Sequence, residues 1–172
     1  APEDVENNIK MAIDNVQIGG RNLLLGTKDF SGTWTNAGSW RTSTETYKDF
    51  VVKQRTGQWN GLYQKISAQI GDEFVFSGYV KKTGGQTRVY VSCATGNGTL
   101  VDIVDNEWTY FSTKHTATIT GDIYVRLEND TADVTTYVCG LKLEKGNKAT
   151  AWTPAPEDTT TYVDNLVSDL QT

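Results

Sequence analysis

The sequence predicts an all-β sandwich of jelly-roll type, flanked by a short α-helix at each end. Three observations lead there. Residues 21–152 carry strand-like runs between Gly, Asn and Asp turns, almost without helical periodicity. The two ends, 4–17 and 159–171, do carry apolar residues at helical spacing. The four residues APED at Ala1–Asp4 return at Ala155–Asp158, offset by 154 positions.

The N-terminal helix rests on Val5, Ile9, Ala12, Ile13 and Val16, with Asp4 as N-cap after Pro2 and Gly19-Gly20 as the stop. Eight strand runs follow: KDFVVKQR, GLYQKISA, EFVFSGYVKK, TRVYVSCA, LVDIV, WTYFSTKHTAT, DIYVRLEND and TTYVCGLKLEKG. Strands this short, with no helices between them, form a sandwich or a barrel, and two packed sheets of jelly-roll type are the favoured reading. Alternation then assigns faces. Val89, Val91 and Cys93 oppose Arg88, Tyr90 and Ser92. Ile123, Val125 and Leu127 point inward, leaving Tyr124, Arg126 and Glu128 outside. Tyr137, Cys139, Leu141 and Leu143 form an inner set. The C-terminal helix, capped by Asp158 or Thr159, carries Val163, Leu166, Val167 and Leu170 on one face.

The offset that aligns APED also lays Ile9 on Val163, Ala12 on Leu166, Ile13 on Val167 and Val16 on Leu170. The pattern is that of one period of a longer helix–sandwich–helix fibre. The organisation expected is a helix and linker at 1–19, a sandwich at 20–153, and a linker and helix at 154–172. Three-turn helices are marginal alone. Their stripes either pack on the sandwich or form a short parallel coiled coil between copies; we favour self-association as a trimer.

At 172 residues, 37% hydrophobic and 22% charged, with a net charge of −5, the composition is globular and acidic. Nucleic acid is a poor partner for a chain without a Lys/Arg cluster. No run is long enough to span a membrane, and the N-terminus lacks signal-peptide character. Cys93 and Cys139 have no CxxC or Cys/His pattern, which argues against zinc and leaves two buried thiols, the preferred reading, or one disulfide. His115 is a lone histidine and is read as structural.

No nucleophile elbow, HExxH or P-loop is present, and GGRNLLLG and TGNGTL are turn glycines. Asp102/Asp105 and Asp130/Asp133 lie in polar loops, where Asp serves turns rather than glycoside hydrolysis. Calcium takes oxygen ligands, but no loop here has the defined spacing of a calcium site. No cofactor is expected.

The aromatic residues remain. Trp34, Trp40 and Trp59 fall in Gly- and Asn-rich sequence, where an indole offers a rigid face at low entropic cost. With Arg41, Tyr90 and Arg126 they make the expected saccharide contacts, with Arg88, Tyr124 and Glu128 behind them. The alternative for the tryptophans is that they plug one end of the sandwich.

The pair GGRNLLLGTKDFSGTW (19–34) and GLKLEKGNKATAWTPAPED (140–158) resembles the repeated modules of tail and baseplate proteins from phages of Gram-positive bacteria. Those modules are in turn similar to carbohydrate-binding modules, whose sandwiches are galactose-binding-like. GLYQKISAQIGDEFVFSGYVK fits as well, so the resemblance spans essentially the whole chain. It implies a non-catalytic module in the virion tail that binds host cell-wall polysaccharide, with Trp152 as a docking residue. Relatives of the wider sandwich often carry a structural calcium, but no matching ligand set is present here. The competing expectation is a structural spacer of the tail with no glycan ligand.

Overall fold

A computed structural model describes residues 2–16, 20–84, 86–92, 99–159, 167–168 and 170, the side chains of 10–16, 86 and 88–92 excepted. It is a sandwich of two antiparallel sheets. Helix α1 (Pro2–Val16) precedes nine strands: β1 (Arg41–Tyr47), β2 (Phe50–Thr56), β3 (Leu62–Ala68), β4 (Glu73–Lys82), β5 (Gln86–Ser92), β6 (Thr99–Asp102), β7 (Thr109–Thr116), β8 (Gly121–Glu128) and β9 (Thr135–Lys145). One sheet has the order β1-β2-β9-β4-β7, the other β3-β8-β5-β6.

The helix starts at Pro2, so Asp4 sits in the first turn rather than at the cap. Proline suits that first position, and Glu3 and Asp4 complement the helix dipole there. The predicted C-terminal helix lies largely outside the described residues; a helical turn opens at Pro156. Cys93 also lies outside them. Cys139 is a buried free thiol.

The two sheets enclose a core that includes Leu62, Phe74, Phe76, Phe111, Ile123, Val125, Leu127, Val138, Leu141 and Leu143. Period-two reading holds in β8, where Ile123, Val125 and Leu127 are buried. Glu128 was expected outside, yet it is buried, pairing with Arg126 at 3.5 Å, and its register partner on the neighbouring strand β5 is Arg88.

Strand β9 departs further from the expected alternation. Ser77 pairs with Lys142 but Tyr79 pairs with Cys139, so Gly78 faces two residues, Gly140 and Leu141. This is a β-bulge with its glycine in the left-handed region, φ 59°. The bulge divides the strand. Leu141 and Leu143 point into the core, as expected, whereas Tyr137 and Cys139 join a second cluster on the opposite face with Phe50 and Val52.

Segments 20–27 and 141–158 clasp one another at one side of the sandwich. Asn22, fully buried, accepts from the amides of Leu24 (3.0 Å) and Leu143 (3.2 Å) and donates to the carbonyls of Leu141 and Thr153. Lys142 donates to Thr150 Oγ1 and the Ala151 carbonyl, and Thr150 donates to Glu144 at 2.7 Å. Gly26 N–H donates to Asp158, and Arg21 pairs with Glu157.

A Cβ on Gly140 would lie 2.9 Å from Phe50 Cε2 and 3.0 Å from Tyr79 Cδ2, at a φ that L-residues disfavour. Gly140→Ala is therefore expected to lose roughly 1–3 kcal/mol of stability. Gly38→Ala, which meets open space at ordinary φ, is expected to be neutral or slightly stabilising. Urea midpoints of the two variants check both outcomes.

Candidate functional site

The expected contact residues do not form one site, although Tyr90 and Arg126 are neighbours as register partners. Trp34 (6% exposed) and Trp40 (1%) belong to the core, and Trp40 Nε1 donates to the Asn60 carbonyl at 2.8 Å. Both plug the sandwich, the alternative reading of these tryptophans, and offer no face to a ligand. Trp59 is half exposed on the β2–β3 loop, at φ 60°. Its amide donates to the Asn129 carbonyl, and Arg55 Nε donates to its carbonyl.

Arg126 lies on the outer face of the four-stranded sheet. There Tyr63 and Tyr124 meet edge-on at 5.2 Å, and the register sets Tyr90 opposite Arg126. Arg41 stands elsewhere, on edge strand β1. Gln54, its amide oxygen turned to Arg41, accepts from Nη2 at 2.7 Å and donates to Ser43 Oγ at 2.8 Å.

A denser aromatic surface covers the outer face of the five-stranded sheet. Tyr79 and Lys81 of β4, Tyr110 of β7, Tyr137 and Cys139 of β9, and Phe50, Val52 and Gln54 of β2 share this side through the register. Tyr47 from β1 and Trp108, just before β7, stack at 4.5 Å with only 10° between their planes. Their strands are the two edges of a five-stranded sheet, separated by about 19 Å when flat. The stack therefore requires both edges to lean inward over a concave face.

This face has two ends. At one, Lys81 sits over Tyr137 (4.5 Å) and Trp108 (5.4 Å) and pairs with Glu45 at 2.6 Å. Beneath lies Cys139, whose thiol is pushed up to about 12 by burial and then by the charge of Glu45. At the other end a cleft of about 300 Å³ opens between Tyr79 and Tyr110 on one side and Ala149–Trp152 on the other, floored by Ser77 and Gly140. Trp152 packs edge-on to Phe50 at 4.8 Å, and its Nε1 donates to Thr27 Oγ1. It thus docks the closing segment, as the resemblance implied, and also lines the cleft. Tyr110 is 49% exposed, the most open ring here. Behind the cleft wall, burial lowers the Lys142 ammonium against the opposing pull of Glu144.

None of the residues expected to contact saccharide lies among these rings. The available signal was parity: Tyr79 with Lys81, Trp108 with Tyr110, and Tyr137 with Cys139 each recur two apart.

Two antiparallel sheets packed as a jelly-roll sandwich, with a ring-lined cleft on one outer face, give this chain the fold of carbohydrate-binding modules. The structural neighbours are carbohydrate-binding modules and a phage baseplate protein. The CBM22-1 xylan-binding domain of Paenibacillus barcinonensis Xyn10C superposes with a TM-score of 0.54 at 17% identity, covering 78% of this chain and 100% of that one. TmCBM61, solved with beta-1,4-galactotriose, gives 0.50 at 17% identity, covering 73% and 99%. The tripod from the baseplate of bacteriophage Tuc2009 gives 0.47 at 14% identity, covering 81% of this chain and 60% of that one. No family model matches the chain and no curated protein is similar to it. Among the described residues, no helix is long and apolar enough to cross a membrane.

The two indoles at 40 and 59 separate core from surface. Trp40→Ala should cost about 3–5 kcal/mol of stability. Trp59→Ala, on an open loop, should stay within about 0.5 kcal/mol. Thermal and urea unfolding of the pair measures the difference.

Proposed function

We propose that this chain is a non-catalytic saccharide-binding module of a phage tail adhesion protein, contacting host cell-wall polysaccharide through the concave face of its five-stranded sheet. The observation that carries the saccharide reading is the open cleft walled by Tyr79, Tyr110 and Trp152 over a floor of Ser77 and Gly140. Pyranose rings present C–H patches to aromatic faces and hydroxyls to such a floor. The tail assignment rests on the sequence resemblance, whose two motifs clasp each other through Asn22 and Thr150.

A single shallow site binds weakly, because polar sugars surrender hydration. Repetition along a fibre and around a trimer supplies avidity. Exposed Val5 (56%) and Leu170 (87%) support self-association of the flanking helices. Sedimentation equilibrium should give a trimer mass; a monomer at high concentration would remove that part of the reading.

A structural spacer is the second reading. The Tyr47–Trp108 stack favours it, since these rings fill one end of the face with the protein's own surface. Pull-down on purified Gram-positive cell walls decides between the two. Tyr110→Ala should weaken binding about tenfold, near 1.4 kcal/mol, with Trp59→Ala unchanged. Loss with Trp59→Ala alone would move the site to the β2–β3 loop, and no binding by the unmodified protein would leave the spacer.

A further inference from the structure

The concave face carries a charge pattern opposite to that of the whole chain. The chain has a net charge of −5. Yet three ammonium groups stand over the rings of this one face, each near two of them. Lys81 is over Trp108 and Tyr137, Lys48 over Tyr47 (5.6 Å) and Tyr79 (5.7 Å), and Lys28 over Phe50 (5.0 Å) and Trp152 (5.7 Å).

Only Lys81 is neutralised, by Glu45. Lys28 and Lys48 are exposed, and neither forms an ion pair with a carboxylate among the described residues. Two carboxylates, Asp29 and Asp158, share a neighbouring pocket with Lys28, each held by a backbone amide. Asp29 accepts from the Ser31 amide at 3.0 Å and Asp158 from the Gly26 amide at 3.0 Å. Asp49, next to Lys48, is exposed on its turn.

Placement gives the pattern its meaning. Lys48 overlies Tyr79 and Lys28 overlies Trp152, and those rings are opposite walls of the cleft. Two ammonium groups outside any ion pair among the described residues therefore stand over the rings that wall this opening. Cation–π contact holds each ammonium near the ring without satisfying its charge, leaving its donors directed to an anion. A neutral glycan would gain a hydrogen bond from such a group; a carboxylate or phosphate gains a charge-assisted one, about twice as strong.

We infer that the cleft selects an anionic glycan, one bearing carboxylates or phosphodiesters, through Lys28 and Lys48; the inference rests on the saccharide reading of this cleft. Titration calorimetry with three polymers tests it: polygalacturonate, its fully methyl-esterified form, and poly(glycerol phosphate). At low salt at least one anionic polymer should bind ten times more tightly than the ester, and the identity of that polymer separates carboxylate from phosphate. Rim charges are screened within about 10 Å at 0.1 M ionic strength, so the preference should shrink to within threefold at 0.5 M salt. The double variant K28Q/K48Q should lose the preference at low salt. K65Q, a lysine over Tyr124 on the other sheet, should keep it. Equal binding of ester and anionic polymers overturns the inference while leaving the cleft as a saccharide site. A preference that survives K28Q/K48Q also overturns it, as does binding of none of the three polymers by a protein that still binds cell walls; binding of neither polymers nor walls overturns both.

Discussion

Everything on the concave face depends on two glycines meeting in adjacent strands. With Gly78 opposite Gly140, β9 inserts one residue and changes which side chains face the core. Without the bulge, strict alternation along β9 would place Tyr137, Cys139, Leu141 and Leu143 on one side, and the strand could serve either core or cleft. The bulge lets it serve both. Phe50 and Tyr79 then close over the bare Gly140 backbone, where a Cβ would lie at about van der Waals limits or inside them. The opposite glycine is equally constrained, because a Cβ on Gly78 would lie 2.6 Å from Leu141 Cδ2. Floor, walls and core packing are therefore one geometric solution.

The second constraint is polar. Lys142 and Glu144, flipped outward by the bulge, would be exposed on an ordinary sheet face but are each 1% exposed. Two charges buried 3.8 Å apart do not by themselves stabilise a fold, since desolvation opposes their attraction. Here Thr150 and the Ala151 carbonyl complete their hydrogen bonding, and this positions Ala149–Trp152 as the far wall of the cleft. Asn22 does the same from the other side, capping the amides and carbonyls that a loop crossing a sheet edge leaves open. The closing segment is thus held by satisfied polar groups more than by apolar area. The cleft wall inherits their directional precision.

How far the chain could be read from its letters follows from the same features. The sandwich was legible because most strands alternate cleanly, β8 above all. Strand β1, RTSTETY, was not legible: it is an edge strand whose first six residues are polar, and its pairing is supplied by β2 rather than by a buried stripe. Tyr137 and Cys139 of β9 were assigned to the wrong face because one inserted residue inverts parity, and a lone glycine in a strand does not announce which side it will favour. Trp34 and Trp40 looked like ligand contacts because they sit in glycine-rich sequence. Such loops fold over the open end of a sandwich, where a large ring fills space that strands cannot. The candidate site was nearly illegible. Its rings come from β1, β4, the start of β7, β9 and the closing segment, and only the sheet order brings them side by side.

That arrangement also explains why the cleft lies at one end of the face. A concave aromatic surface left wholly open would be an apolar patch exposed to water, with the association liability this entails. Stacking Tyr47 on Trp108 covers part of each ring with the other and fixes both without a ligand. The Glu45–Lys81 pair covers that stack with charge. What stays open is the stretch between Tyr110 and Trp152, where one wall is strand and the other is the clasped segment. The rings there are held before anything binds, Trp152 by Phe50 and Thr27, Tyr79 by Tyr47 and Tyr110. Little rotamer entropy is then left to lose on binding, and for a weak, repeated contact that saving is the largest contribution the protein can make in advance.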